Sequence, residues 1–561
     1  MISYTEVQSE SPLLEDTIGT NFEKSVAEFA DRDALIDVPS ARQWTYRELN
    51  RDVDRLARGL IAAGLAAGDR AGIWSPNCAE WTILQYATAK AGIILVNVNP
   101  AYRSSEVEFV VNQCGMRMLV IAPSDTHSDY VAMARAAAVN CPSLEQLVLL
   151  PQLYGGQDAD AVQDAEAGPT GAGETTYDAL CAGGETVPAQ VLVDRMTGLD
   201  AHDAINLQYT SGTTGFPKGA TLTHHNILNN GYSIGQLMNY TTDDRVVIPV
   251  PFYHCFGMVI GNLNAFSHGA ATIIPSRRFS ASAALQAVQD HAGTSLYGVP
   301  SMFISELALD DFGDYDLSSL RTGVMAGSPC PEETMHRVID EMNMTEVAIC
   351  YGMTETSPVS TMTGAGDTIL RRTRTVGRTM PHLESKVIDP GDGQPVERNV
   401  IGELCTRGYA VMSGYWDQPD KTAEAIDAEG WMHTGDLARM DEDGYVSIEG
   451  RIKDVVIRGG ENIYPLEIEE FLYQHPSIQE VQVIGVPDAK YGEELAACVI
   501  LKRDATTLTA TDIAEFSRGK LAHYKIPRYV ELYETFPMTV SGKIRKIQLR
   551  EDFTEHHPQP E

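Results

Sequence analysis

Short apolar runs that read as strands, among them Ala71-Gly-Ile-Trp74, Gly92-Ile-Ile-Leu-Val-Asn-Val98 and Met118-Leu-Val-Ile121, alternate with helix-period stretches such as residues 46–65. This alternation is the strongest constraint on the fold, because parallel strands are joined by crossovers long enough to hold a helix. It predicts an α/β class with a mostly parallel sheet, and the pattern resumes near Ala204 and runs to about Gly450. Past Gly450-Arg-Ile-Lys-Asp454 the chain changes character. Strand-like Val481-Gln-Val-Ile484 and Ala496-Ala-Cys-Val-Ile-Leu501 mix with a helical stretch at residues 465–474, where Ile468, Phe471 and Leu472 share a face and Pro465 suits the first turn. The expected organisation is a large N-terminal domain of α/β sheets at 1–450, a junction at 451–455 and a small C-terminal α+β domain at 456–561.

With 561 residues, 43% of them hydrophobic, the chain has ample core for several compact units and reads as a soluble globular protein. Residues 154–176 are dominated by Gly, Ala, Asp and Glu without a Lys or Arg, and read as a surface insertion. The charge-free run at residues 246–276 carries Pro249, Pro251 and Pro275, so it is expected to be buried sheet and loops rather than a transmembrane segment. Residues 1–15 lack a basic segment followed by an apolar one, so no secretory signal is visible and a cytoplasmic location is expected. Nine cysteines without a C-x-x-C pair fit free thiols, and zinc is not expected. A formal charge of −35 repels nucleic acid, so any site for a polyanion must be built locally from placed basic residues and backbone donors. A halophilic origin explains the acidity equally well.

One such site follows the strand-like Ala204-Ile-Asn-Leu-Gln208. The stretch Tyr209-Thr-Ser-Gly-Thr-Thr-Gly-Phe-Pro-Lys-Gly-Ala220 combines the hydroxyls of Thr210, Ser211, Thr213 and Thr214 with Gly212, Gly215 and Lys218, the chemistry of a phosphate-gripping loop. It is not a Walker loop, since Pro217 stands where the second glycine belongs and Gly219 where the magnesium-binding hydroxyl belongs. Asp311-Phe-Gly313 has no accompanying glycine loop or H-R-D run, which removes a kinase reading. Further on, the strand-like Val347-Ala-Ile-Cys350 opens onto Tyr351-Gly-Met-Thr-Glu-Thr356, placing an acid where open α/β sheets bind ligands. Met325-Ala-Gly-Ser-Pro-Cys330 is a Gly/Pro turn suited to close backbone approach, and Thr434-Gly-Asp-Leu437, the run from Arg451 to Pro465 and Thr539-Val-Ser-Gly-Lys-Ile-Arg545 complete the set.

In this order and spacing, the motifs resemble those of the acyl-adenylate-forming superfamily of acyl-CoA synthetases, peptide-synthetase adenylation domains and beetle luciferases, from about Leu49 to Leu549. Arg321-Thr-Gly-Val-Met-Ala-Gly-Ser-Pro-Cys-Pro331 and Pro251-Phe-Tyr-His-Cys-Phe-Gly257 look most like medium-chain fatty acyl-CoA synthetases. The resemblance implies ATP, Mg²⁺ and coenzyme A as co-substrates and cofactor, a small carboxylic acid as substrate, no nucleic acid, and a homodimer as an allowed assembly. It also implies that the C-terminal domain is mobile and that Lys453 is its hinge.

The residue roles it implies are these. Thr210, Ser211, Gly212, Thr213, Thr214, Gly215 and Lys218 hold the β- and γ-phosphates, Thr354 donates to the α-phosphate, and Glu355 binds the metal. Gly327, Ser328 and Pro329 sandwich adenine with Tyr351, beside Gly352 and Met353, while Asp436 and Arg451 grip the ribose. Ile349 and Cys350 stand where many relatives carry an adenine-binding asparagine. Lys543 acts on the carboxylate and α-phosphate, and Arg458, Gly459, Gly460 and Glu461 face the pantetheine of CoA. Arg458, Lys525, Arg528 and Arg545 are candidate partners for the CoA phosphates. The acyl pocket is expected to draw on His254, Phe256, Gly257, Met258 and Tyr297, with Gly298, Val299, Met302, Val324, Met325 and Met353. His254 either gates that tunnel or is a satisfied polar residue, and both readings stay open.

The function expected is an AMP-forming ligase making acyl-CoA from a fatty acid of medium length, through acyl-AMP and pyrophosphate. Loading of an acyl group on a carrier protein, and ligation of a short or aromatic acid to CoA, are the alternatives.

Overall fold

The computed structural model describes residues 1–125, 128–151, 173–210, 217–328, 330–459, 461–488, 490–503, 505, 507–538 and 544–557. The chain forms two compact units, Glu6–Glu384 with Thr406–Met432, and Met1–Thr5 with Ser385–Cys405 and His433–Glu561.

The larger unit holds two sheets, as the α/β pattern requires. One has eight strands in the order Gly414–Tyr415, Lys218–Thr223, Ala204–Thr210, Ile94–Asn97, Arg70–Trp74, Met118–Ile121, Gln146–Leu149 and Gly173–Thr176. From Ala204–Thr210 to Gly173–Thr176 it is parallel, and the hairpin to Lys218–Thr223 is antiparallel. The other has nine strands and a parallel core running from Glu346–Gly352 through Thr322–Met325, Ser295–Gly298, Arg245–Val247 and Ala271–Ile274 to Asp33–Asp37. Every residue of Ile94–Asn97 and Met118–Ile121 is buried, which is why these strands read as continuous apolar runs.

Helix Tyr46–Ala62 starts on a capping box in which Thr45 and Glu48 satisfy each other's backbone donors, and buries Leu49, Val53, Leu56 and Leu60. It stops short of Leu65 because the backbone N–H of Leu65 folds back onto the Leu60 carbonyl at 3.2 Å. Helix Ala79–Ala91 is buried on all faces, and the Ala79 N–H donates to Asp37 at 3.1 Å, so a strand end of the nine-stranded sheet caps it. Helix His224–Leu237, which follows the Lys218–Thr223 strand, exchanges two hydrogen bonds through Asn230 with Val359, at 2.8 and 3.0 Å. That exchange ties the end of the Gly-rich hairpin to the strand that follows Glu355.

Two expectations are corrected. The charge-free run at 246–276 is not sheet and loops alone: Phe256–Leu263 is a π-helix continued by the α-helix Asn264–Ser267. An apolar run of this length does not distinguish strand from buried helix by periodicity. The acidic insertion at 154–176 lies outside the described residues up to 172, but its end, Gly173–Thr176, is a regular edge strand beside Gln146–Leu149. None of the described helices is long and apolar enough to cross a membrane.

In the smaller unit a five-stranded sheet is ordered Tyr4–Glu6, Leu383–Ile388, Gly402–Gly408, Met432–Met440 and Val446–Arg451. A second sheet is ordered Glu461–Ile463, Val456–Arg458, Gly492–Leu501 and Ile478–Asp488, with Tyr529–Leu532 also paired to Gly492–Leu501. Alternation along Ile478–Asp488 sends Val481 and Val483 into one cluster with Ile468 and Leu472 of helix Pro465–Leu472, and Ile484 and Val486 into another with Leu549 and Phe553 of helix Lys546–His556. Phe471, expected on the same face as Ile468 and Leu472, is only partly buried.

His224 opens its helix fully buried, its Nδ1 accepting the Ile18 N–H at 3.1 Å, and burial lowers its pKa to about 3. Between pH 6.5 and about 3 the unfolded chain therefore binds a proton here that the folded chain does not, and stability falls as pH falls through that window. His224→Gln is expected to lower the acid dependence of unfolding free energy by up to about one proton in that window. Denaturant titrations at stepped pH with an unchanged slope would remove this role.

Candidate functional site

Lys218 pairs across the hairpin with Thr210, and the residues between them that carry Ser211, Gly212, Thr213, Thr214 and Gly215 lie outside the described set. The Thr210 end of the hairpin faces Glu355, and the Lys218 end faces Tyr415. Thr210 Oγ1 donates to Glu355 Oε1 at 3.4 Å, and the Tyr415 hydroxyl donates to the same oxygen at 2.8 Å. Lys218 Nζ stands 4.4 Å from the centre of the Tyr415 ring, a cation held on an aromatic face. Glu355 is 5% exposed, so its charge is felt in a medium of low polarity. Burial, reinforced by Glu355, pushes the Tyr415 phenol far above its usual range and keeps it a neutral donor. The larger unit thus unites Thr210, Lys218 and Glu355, three residues expected to act on the same polyanion.

Tyr415 is the residue sequence reasoning missed. It sits on the short strand Gly414–Tyr415 that pairs with Ala220 and Thr221 in the strand following Lys218. Tyr415→Phe is expected to lower kcat/KM about tenfold, the worth of one hydrogen bond of roughly 1.5 kcal/mol to a charged group, with stability little changed. An unchanged kcat/KM would mean that Tyr415 does not orient Glu355.

The Tyr351-Gly352-Met353 turn has a steric reason. A Cβ at Gly352 would lie 1.8 Å from the Pro358 carbonyl oxygen, so only glycine lets the strand end cross its antiparallel partner. Just beyond it, Thr354 and Glu355 form a 3₁₀ turn. Gly327 adopts φ of 98° after the strand Thr322–Met325, beside exposed Ser328, while Pro329 lies outside the described residues. Tyr351 is half-buried, its neighbour Cys350 is buried, and the Ile349 backbone bonds in both directions with Thr363.

Most acyl-pocket candidates sit deep in the fold. Met258, Tyr297, Val324 and Met325 are fully buried, Phe256 and Val299 nearly so, and Met302 and Met353 are intermediate. Tyr297 donates to the Ile260 carbonyl of the π-helix at 3.1 Å, exchanges a bond with the Tyr240 hydroxyl at 2.8 Å, and packs 5.8 Å from the Phe256 ring. A Cβ at Gly257 would meet the Pro251 carbonyl at 2.4 Å, and the Gly298 backbone is paired with Met325. The His254 ring accepts the Phe256 N–H at 3.1 Å and lies 3.6 Å from Cys255 Sγ, itself 3.9 Å from Thr354 Oγ1. His254 is thus engaged at the start of the π-helix, where its neighbour Cys255 approaches Thr354.

In the smaller unit Asp436 and Arg451 are cross-strand partners, joined by an Arg451 Nε to Asp436 Oδ1 bond of 3.1 Å. The Asp436 side chain is largely buried and that of Arg451 mostly exposed. Exposed Lys453 lies in the turn Ile452–Asp454, whose Asp454 pairs with Arg550 of the last helix at 2.8 Å. Arg458 and Glu461 close a hairpin through Gly459, whereas Gly460 and Lys543 lie outside the described residues. The Arg458 guanidinium is held bidentately by buried Glu494 at 2.5 and 2.8 Å and stacks 4.2 Å over Tyr491. Arg528 pairs with Asp488 at 3.3 Å and Lys525 with Glu467 at 2.6 Å, so three of the candidates for CoA phosphates are engaged with carboxylates. Arg545 immediately precedes the last helix.

Residues 22–416 match the model of the AMP-binding enzyme family, and residues 467–543 that of the AMP-binding enzyme C-terminal domain. The chain belongs to the AMP-binding enzyme family. It is 46% identical to YngI of Bacillus subtilis (strain 168) over 96% of this chain and 97% of that one. With the mitochondrial medium-chain acyl-CoA ligase ACSF2 of Mus musculus it shares 43% identity over 99% of this chain and 90% of the other. The fold of this AMP-binding enzyme resembles that of ATP-bound MatB from Rhodopseudomonas palustris, with a TM-score of 0.79, 27% identity, and coverage of 97% and 100% of the two chains. It also resembles the anthranilate CoA ligase AuaEII in complex with anthranoyl-AMP, with a TM-score of 0.81, 25% identity, and coverage of 97% and 98%. As a member of this family the chain is an AMP-forming acid–thiol ligase that uses ATP and CoA.

Proposed function

We propose that this enzyme activates a fatty acid of medium chain length in two steps. In the first, a carboxylate oxygen bonds to the α-phosphorus of ATP and the bond to the β-phosphate breaks, releasing pyrophosphate. In the second, the CoA thiolate bonds to the acyl carbon and AMP leaves, the thiol proton having passed to solvent. The convergence of the Thr210 and Tyr415 hydroxyls on the Glu355 carboxylate, with Lys218 held over the Tyr415 ring, is the observation that supports a polyphosphate and cation site most strongly.

Glu355 and the neighbouring hydroxyls are hard oxygen donors of the kind Mg²⁺ accepts alongside phosphate and water. The metal would supply neutralisation of the phosphate charge. Tyr415 orients the Glu355 carboxylate, Thr210 and Lys218 hold the departing phosphates, and Thr354 donates to the α-phosphate. Gly327, Ser328 and Pro329 with Tyr351 enclose adenine, and Asp436 with Arg451 holds the ribose. Lys543 supplies positive charge for adenylation, Lys453 is the hinge between residues 1–450 and 456–561, and the Arg458 to Glu461 hairpin faces the pantetheine. The acyl chain is enclosed by the segment from His254 to Met258 with Tyr297, Val299, Met302, Val324, Met325 and Met353, whose burial and apolar character support an aliphatic substrate.

A panel of straight, branched and aromatic acids, assayed by AMP release with free CoA, tests the reading. Preference for straight acids of medium length is expected. Preference for a short or aromatic acid would overturn the pocket assignment, and turnover with a carrier protein but not free CoA would overturn the acceptor.

A further inference from the structure

Glu403 and Cys405 lie two residues apart on the strand Gly402–Gly408, on one face of the sheet, and His433 lies on the adjacent strand Met432–Met440. Their ligand atoms all lie within 4.8 Å of one another. His433 Nδ1 is 3.0 Å from Glu403 Oε2 and 3.7 Å from Cys405 Sγ. With Zn–S near 2.3 Å and Zn–N or Zn–O near 2.0–2.1 Å, tetrahedral ligands stand roughly 3.3–3.6 Å apart, so these separations need little adjustment. The other Glu403 oxygen accepts the Gly435 N–H at 3.0 Å, which fixes the carboxylate as outer contacts do in zinc sites. Glu403 and Cys405 are buried and His433 half-buried, leaving a side open to an entering ion and a water.

We infer that Glu403, Cys405 and His433 form a binding site for Zn²⁺, with one thiolate, one imidazole, one carboxylate and a fourth position for water. Binding needs a deprotonated thiol and a neutral imidazole, so a proton is released from the thiol as the metal enters. His433 lies three residues before Asp436 on the same strand, so an ion bound here is expected to affect the nucleotide grip. That consequence rests on the ribose role proposed above, whereas the site itself does not.

Among the described residues one other such group exists, Glu15 with His202 and His225, and it contains no sulfur. Co²⁺ added to the full-length protein therefore discriminates between them. The expected result is a thiolate-to-cobalt charge-transfer band together with tetrahedral ligand-field bands. These are lost in Cys405→Ser and in His433→Gln, kept in His202→Gln, and bleached by one equivalent of Zn²⁺. Equilibrium dialysis of Zn²⁺ should show affinity falling at least about tenfold in both site variants, since even outer-contact losses cost about 10- to 100-fold. Circular dichroism melting of each variant verifies that it is folded, and Cys405→Ala replaces Cys405→Ser should the latter fail. No thiolate band in the wild-type protein, or a band that survives either Cys405→Ser or His433→Gln, would overturn the inference.

Discussion

Lys543→Ala is expected to lower carboxylate-dependent exchange of pyrophosphate into ATP by about 10²- to 10³-fold, the range found when one preorganised donor to a developing charge is removed. Thioester formation from supplied acyl-AMP and CoA is expected to stay within a few-fold of wild type. The asymmetry follows from where negative charge builds up. Adenylation brings a carboxylate against a polyphosphate, and a single cation there lowers the barrier by about 3–4 kcal/mol. Thiolysis starts from an acyl group already activated and has no polyphosphate to neutralise. The separation needs each half-reaction measured alone, because a steady-state assay reports whichever step is slower. Equal losses in both halves would show Lys543 to be structural or shared, and would remove the proposed role.

Glu355→Gln is expected to have an effect of similar size for a different reason. The amide keeps an oxygen that can accept from the Tyr415 hydroxyl and Thr210, so the local hydrogen bonds and the fold are retained. What is lost is the charge. At saturating ATP, kcat should fall about 10²- to 10³-fold, with a raised Mg²⁺ requirement and a melting temperature close to wild type. Lys218→Met serves as the opposite-sign control: it removes the cation above the Tyr415 ring and should raise KM for ATP rather than the Mg²⁺ requirement. A Glu355→Gln enzyme within about twofold of wild type at every Mg²⁺ concentration would contradict metal binding at this carboxylate.

The alternating strand and helix periods of the large unit were legible because its central parallel strands are buried on both faces, while helices such as Tyr46–Ala62 bury one face. Ile94–Asn97 and Met118–Ile121 show this as unbroken apolar runs. That Asp436 and Arg451 belong together came from the resemblance, which assigns both to the ribose; their cross-strand pairing is seen only in the structure. Contacts between distant segments were not legible. Tyr415 reaches Glu355 across 60 positions, and no motif marks a tyrosine that binds only through a neighbouring strand. Arg458 reads as a free cation, yet buried Glu494 occupies its guanidinium from 36 positions away. The π-helix at Phe256–Leu263 was hidden because a uniformly buried segment carries no amphipathic period. Glu403, Cys405 and His433 have no recognisable metal spacing, because their approach depends on which strands are adjacent.

The central claim is that this site couples a medium-chain carboxylate to the α-phosphate of ATP. Exchange of labelled pyrophosphate into ATP, measured with and without octanoate and in the absence of CoA, tests it most directly. The predicted result is exchange that requires both octanoate and Mg²⁺ and needs no CoA. Absence of exchange, or exchange indifferent to the acid, would contradict it.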